Sequence, residues 1–228
     1  AQIRAKTVPQ SVAAQFVTQS TLQSAIAAAL ATPGPIGIKT PGSVNATVVW
    51  TQVVNGEYNA GSFSTLQSAI STATASGVYK VKIPEGTYKG SFVVPSGMTL
   101  ECVSRRAVLT IANGANVDVI TIPNGAANVT IRNCSIDGNA SNQTATSRGI
   151  YAAGVNTNIT LDNVSVSNTQ DACVLQQYAN VEAGQYNSGF KTVNSRLVNC
   201  GGHGVDFRDV KGVWIQNNYF ENWGAVNP

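Results

Sequence analysis

The sequence predicts a mostly-β solenoid, and three observations carry that prediction. One short phrase recurs: Asn128-Val-Thr-Ile-Arg-Asn-Cys-Ser-Ile136 returns as Asn158-Ile-Thr-Leu-Asp-Asn-Val-Ser-Val166. Further copies fall at Val193, Ser195 and Val198, at Val213, Ile215, Asn217 and Phe220, and more weakly at Met98, Leu100 and Cys102. From Leu100 through Ile131, Leu161, Val193 and Ile215 the spacings are 31, 30, 32 and 22, the range of stacked repeats. Within each copy apolar residues alternate, as on a half-buried strand. Finally, only 11% of the 228 residues are charged, against ~25% in ordinary globular proteins. Asn, Thr, Ser, Val and Gly take their place, which suits short strands and tight turns.

In chain order, residues 1–15 carry no periodic signal. Thr18 or Ser20 can cap a helix running to Ala31, with Leu22, Ile26, Ala29 and Leu30 as a narrow apolar stripe. Pro33-Gly34-Pro35 ends it. Such a stripe either packs on a domain or seals a parallel bundle between chains. Residues 32–60 read as a linker with one strand-like run, Ala46 to Val54. The main domain is expected over 61–228. Ser64 can cap a helix to about Thr74 that buries Leu66, Ala69, Ile70 and Ala73, and Gly77 breaks it. Val78–Ile83, Phe92–Val94 and the run from Met98 then read as strands separated by Pro84-Glu-Gly86 and Pro95-Ser-Gly97 turns. A polar lid at the first coil is what a solenoid needs, and this helix fits that place.

These pieces, Phe63 to Ile70, Val81 to Tyr88 and Val94 to Leu100, resemble the opening of right-handed parallel β-helix proteins. That superfamily includes pectate lyases, polygalacturonases and bacteriophage tailspikes. The resemblance covers residues 61–228 and implies a single-stranded parallel β-helix with an N-terminal capping helix, preceded by a small attachment region at 1–60. It implies a fold far more than an activity.

In such a solenoid Val129, Ile131 and Ile136 point inward beneath Ile159, Leu161 and Val166, and Asn133, Asn163, Ser195 and Asn217 stack at one turn. Asn suits that turn because it tolerates the left-handed backbone and its amide bonds along the stack. The seven Asn-x-Ser/Thr triplets are read as turn chemistry for the same reason. The second strand of each coil aligns as Arg148-Gly-Ile150, Asp171-Ala-Cys173 and His203-Gly-Val205, with Cys173 seven residues after Val166 and Val205 seven after Val198. Two insertions interrupt the repeat, one between Ile136 and Ile150 and one over Gln176–Ser188, and solenoid insertions gather on the binding face.

This alignment puts Arg148, Asp171 and His203 at one corner, on coils about 4.8 Å apart. His203 is the sole histidine. Beside a carboxylate it suits a general acid or base, while Arg148 suits an acidic sugar's carboxylate. Asp206 is a third catalytic candidate. Tyr178, Glu182 and Tyr186, in the second insertion, are candidate substrate contacts. Cys200-Gly-Gly-His-Gly-Val205 resembles the Gly-His-Gly of polygalacturonases, but Ala172 stands where that family's paired carboxylate belongs. No metal-ligand spacing and no cofactor motif is present.

Cys102, Cys134, Cys173 and Cys200 form no C-x-x-C pair and read as buried free thiols. A net charge of +3 without a Lys/Arg cluster argues against nucleic acid. No run of 18 apolar residues occurs, so no membrane insertion is expected, and no leader is visible in the sequence. Because the repeat stops where a next strand should begin, the sequence is expected to be part of a longer chain. Phe16 to Ile26 also resembles helical joints of phage tail fibres. The expectation is therefore a homotrimeric tailspike or tail-fibre subunit in the virion tail. It attaches to tail or baseplate proteins through residues 1–60 and contacts bacterial surface polysaccharide, with or without degrading it. The alternative is a secreted polysaccharide-cleaving enzyme.

Overall fold

The computed structural model describes residues 53–54, 57–179 and 181–224. The helix expected near 18–31, and the attachment region except its last few residues, lie outside the described residues. Strand β1 (Val53–Val54) pairs antiparallel with β2 (Glu57–Asn59). Helix α1 (Leu66–Ala75) follows. Its cap is Thr65 rather than Ser64: the Thr65 hydroxyl accepts from Ser68 N at 3.0 Å, and the Ser68 hydroxyl accepts from Thr65 N at 3.2 Å. That is a capping box with Ser in the usual Glu position. The stripe Leu66, Ala69, Ile70 and Ala73 is buried as expected, packed against β2 and β3 (Lys80–Ile83).

From β3 the chain winds in coils of three strands. The first coil continues with β4 (Gly86–Lys89) and β5 (Phe92–Val93), and the second holds β6 (Thr99–Cys102), β7 (Ala107–Thr110) and β8 (Ile120–Ile122). Then come β9 (Ala127–Arg132), β10 (Ser135–Asp137) and β11 (Ile150–Ala152), followed by β12 (Thr157–Asp162), β13 (Ser165–Thr169) and β14 (Val174–Gln176). The fifth coil is β15 (Asn187–Val193), β16 (Arg196–Cys200) and β17 (Val205–Phe207), and β18 (Val210–Gln216) and β19 (Tyr219–Trp223) begin a sixth. Equivalent strands stack into three parallel sheets: β2-β3-β6-β9-β12-β15-β18, β4-β7-β10-β13-β16-β19 and β5-β8-β11-β14-β17. The core is the column of inward side chains between them.

The expected register holds in the middle coils. Val129 lies under Ile159, Ile131 under Leu161, and Ile136 under Val166, with Leu100 below Ile131. It slips by one residue in the next coil. Leu161 pairs with Thr192, not Val193, and Val166 pairs with Leu197, not Val198. The cause is a fully buried Thr192 in an apolar row, which draws a hydrophobicity count to its neighbour. The third strands slip in the same way: Ile150 pairs with Val174, not Cys173, and Val174 with Val205. The two slips cancel in a count of intervals, so the seven-residue offset looked consistent while the true offset is eight.

Turns explain the Asn content. Every non-glycine residue with positive φ among those described is Asn, except Asp209. Asn133, Asn163, Asn194 and Asn217 occupy one turn at φ 61°, 53°, 54° and 55°, so the third member is Asn194 rather than Ser195. The Asn163 amide donates to Asn133 Oδ1 at 2.8 Å, and Asn217 donates to Asn194 Oδ1 at 3.4 Å. Ser195 instead accepts from the buried Val164 N at 3.1 Å.

The cysteines overturn the free-thiol expectation. Cys102 is bonded to Cys134 and Cys173 to Cys200, with Cα–Cα distances of 5.1 and 5.3 Å. The sequence separations of 32 and 27 are each about one coil, so the winding brings each pair together on adjacent layers. C-x-x-C spacing carries no trace of a pairing between coils.

Candidate functional site

The corner between the second and third strands carries the functional candidates. Its floor is a second Asn column, Asn168, Asn199 and Asn222, at φ 54°, 53° and 52°. Amides link downward in one direction: Asn222 to Asn199 at 3.0 Å, Asn199 to Asn168 at 3.2 Å, and Asn168 to Asp137 Oδ1 at 3.3 Å. Below Asn168 the column ends in Gly138, where a Cβ would lie 2.6 Å from Asn168 O. Only a glycine lets the coils close there.

The first insertion forms a ledge beside this floor, with a 3-10 turn at Ala140–Asn142. Gln143 ties the ledge back, donating to Ala112 O at 2.9 Å and accepting from Asn116 N at 2.8 Å. From the other side Gln170 donates to Ala140 O at 2.7 Å and Gln143 O at 3.0 Å. Ledge and floor enclose a groove of about 1170 Å³ that runs along the stack to Trp223, which is 59% exposed. The groove is lined mainly by side-chain amides. The insertion expected from the sequence borders this groove, but the floor was missed. The Asn at offset two after the second-strand apolar in three coils (Val166, Leu197, Phe220), with Gly138 at that offset after Ile136, was a usable signal.

Along the adjoining edge lie the residues singled out from the sequence. Arg148 Nε donates to Asp171 Oδ2 at 3.0 Å, so these two share a corner, although Asp171 sits one residue before the position level with Arg148 and meets the arginine instead of His203. Arg148 also donates through its backbone N to Asp118 Oδ1 at 2.9 Å, its Nη1 lies 3.4 Å from Asp118 Oδ2, and its guanidinium covers the Tyr151 ring at 4.6 Å. Asp118 was not foreseen. Burial holds its carboxyl above the ordinary range, and Arg148 offsets part of that. His203 is exposed and its side chain makes no hydrogen bond or ion pair with Asp171 or any other described residue; it lines a depression of about 260 Å³ with Phe220 and Trp223. Asp206 is held by Arg208, whose Nε lies 2.9 Å from Oδ2. That hydrogen-bonded carboxylate pushes the Arg208 guanidinium up.

The second insertion is anchored where it leaves and rejoins the coil. Asn187 donates to Gln177 O at 2.9 Å and accepts from Gln176 Nε2 at 2.8 Å. The Arg208 guanidinium covers the Tyr178 ring at 4.6 Å from its centroid, Lys211 Nζ lies 3.4 Å from the Tyr186 ring centroid, and Glu182 is exposed. The structure thus joins Arg148 to Asp171 and Tyr178 to Asp206 through Arg208, and leaves His203 apart. Both candidate carboxylates are engaged by arginines and neither bonds to the imidazole, whereas the neighbouring groove is a polar surface with room for a ligand.

The model of the right-handed beta helix region family matches residues 68–226. Among solved structures, the A-module of the mannuronan C-5 epimerase AlgE4 of Azotobacter vinelandii superposes with a TM-score of 0.55 at 16% identity, over 72% of this chain and 57% of that one. The AlgE6 A-module of the same organism gives 0.52 at 18% identity, over 72% and 56%. The chain spans little more than half the length of these neighbours, and the likeness is one of fold. No curated protein matches it in sequence.

Proposed function

The chain belongs to the right-handed β-helix family, and from that premise we propose that it is a polysaccharide-contacting module whose binding surface is the amide-floored groove. One observation carries this reading: a groove of about 1170 Å³ follows the stacking axis, lined by Asn and Gln with an exposed Trp223 at one end. Hydroxyl-rich chains are bound by such alternating donors and acceptors with an aromatic face. The test is affinity electrophoresis of the chain in gels containing bacterial capsular and O-polysaccharides. Retardation by at least one polymer, lost in Asp137→Ala and Trp223→Ala, is expected. Free migration in every gel removes the proposal.

In its finer form the module belongs to a homotrimeric phage tailspike or tail fibre. Residues 1–60 attach it to tail or baseplate proteins, and α1 serves as the lid of the solenoid. The Leu22/Ile26/Leu30 stripe supports this form. Light scattering tests it, because a monomer both before and after Leu22→Asp and Ile26→Asp contradicts the trimer.

A second reading is favoured by the two interior disulfides, which suit an oxidising compartment: a secreted polysaccharide-cleaving enzyme in which His203, Asp171 and Asp206 perform the chemistry beside Arg148. Polymer breakdown by the protein that disappears in His203→Ala supports it. No breakdown by either protein removes it.

A further inference from the structure

The groove carries a charge pattern that selects among glycans. Among the described residues no Lys, Arg or His lines it, and the one ionisable side chain there is the Asp137 carboxylate. The nearby Arg148 brings no free cation, because its guanidinium is already engaged by Asp171 and Asp118 at 3.0 and 3.4 Å. A polyuronate laid here would bring a row of carboxylates to a site with no counter-charge and one like charge. Desolvating them there is unfavourable.

Hydrogen-bonding capacity points the same way. Gln170 spends both amide hydrogens on Ala140 O and Gln143 O, and Gln143 spends its own on Ala112 O at 2.9 Å and Asn139 O at 3.4 Å. Neither can gather donors around an anion. In the floor column each of Asn168, Asn199 and Asn222 gives one N–H to the residue below. Since an amide has two N–H and two acceptor sites, each keeps one donor, and Asn222 Oδ1 heads the column as an acceptor. Single donors alternating with acceptors match hydroxyls, which both give and take, and do not match a carboxylate, which only takes. Trp223 adds an apolar face for the C–H side of a sugar ring.

We propose that the groove takes an electrically neutral glycan, a hexose or N-acetylhexosamine chain, and rejects uronate polymers. This rests on the polysaccharide-contacting reading above and narrows it. The experiment is isothermal titration of the full chain with linear glucan, galactan, mannan and N-acetylglucosamine oligomers, and with oligogalacturonate and oligomannuronate of equal length, at low and at tenfold higher salt. At least one neutral chain is expected to bind ten-fold or more tighter than either uronate, with affinity changing less than two-fold with salt. Ser141→Lys, on the exposed ledge, is expected to raise uronate binding and make it salt-sensitive. A uronate bound as tightly as any neutral chain, with affinity falling as salt rises, overturns the charge selection and leaves the polysaccharide reading standing. Binding of neither class by a protein whose circular dichroism shows it folded overturns both.

Discussion

Replacing Asn163 separates what its backbone does from what its side chain does. It sits at φ 53° with its amide on Asn133 Oδ1 at 2.8 Å, and its Oδ1 and main-chain O receive the Arg105 guanidinium. Asn163→Ala keeps the left-handed backbone but loses the tolerance of Asn for it, about 1–2 kcal/mol. It also loses two side-chain hydrogen bonds, each worth roughly 1 kcal/mol net. The expected loss is therefore about 3–4 kcal/mol, a large part of the ~5–15 kcal/mol that holds a domain folded. Asn163→Gly loses the same two bonds without the strain, and adds only about 0.5–1 kcal/mol for its freer unfolded chain. Glycine should thus be the milder change by roughly 0.5–1 kcal/mol, although it removes more atoms. Urea unfolding followed by circular dichroism reads both values. An alanine variant as stable as the glycine variant would show that the left-handed turn is not what fixes Asn here.

Three further outcomes follow from the same structure. Converting either Cys pair, Cys102/Cys134 or Cys173/Cys200, to serine should cost about 3–4 kcal/mol by chain entropy for loops of this size; unfolding midpoints with and without reductant measure it, and wild type insensitive to reductant contradicts it. Burial alone would raise the Glu101 pKa, but Arg132 at 2.7 Å and Lys80 at 3.0 Å outweigh it and hold the group below its ordinary 4.5. Its stabilisation is therefore present above that value and lost as pH falls through the folded pKa, so Glu101→Gln should destabilise near neutral pH and match wild type in strong acid. Trp223→Ala should weaken glycan binding about tenfold, or ~1.4 kcal/mol, with unfolding unchanged because the ring is largely exposed.

Much of the fold was written in the repeat, because inward positions that recur at coil length can only stack. Ile131 over Leu100 and under Leu161 is that logic made visible. The second coil's β7 and β8 were harder to see, since Arg105 and Arg106 and the Gly114 turn interrupt the phrase. Thr192 hid the register for another reason: it is a polar side chain placed fully inside, and hydropathy cannot show burial that the neighbouring layers impose. At the candidate site the closeness of Arg148 and Asp171 was legible, as it needed only two residues one coil apart; the bond between them was not, because the alignment set Asp171 against His203. Asp118 was not, because it comes from the preceding coil through a turn of irregular length. Nor was the groove, which is a shape made by a ledge that Gln143 and Gln170 hold in place.

The two disulfides also decide how the molecule would behave under tension. A solenoid pulled by its ends unwinds coil by coil, each releasing its contour. Cys102–Cys134 closes 32 residues and Cys173–Cys200 closes 27, each about 100 Å of extended chain that a pulling force cannot reach. Those links act as stops near the lower and upper middle of the stack. In single-molecule stretching the described domain should come out short by that length at each stop, and reductant should return it in two steps.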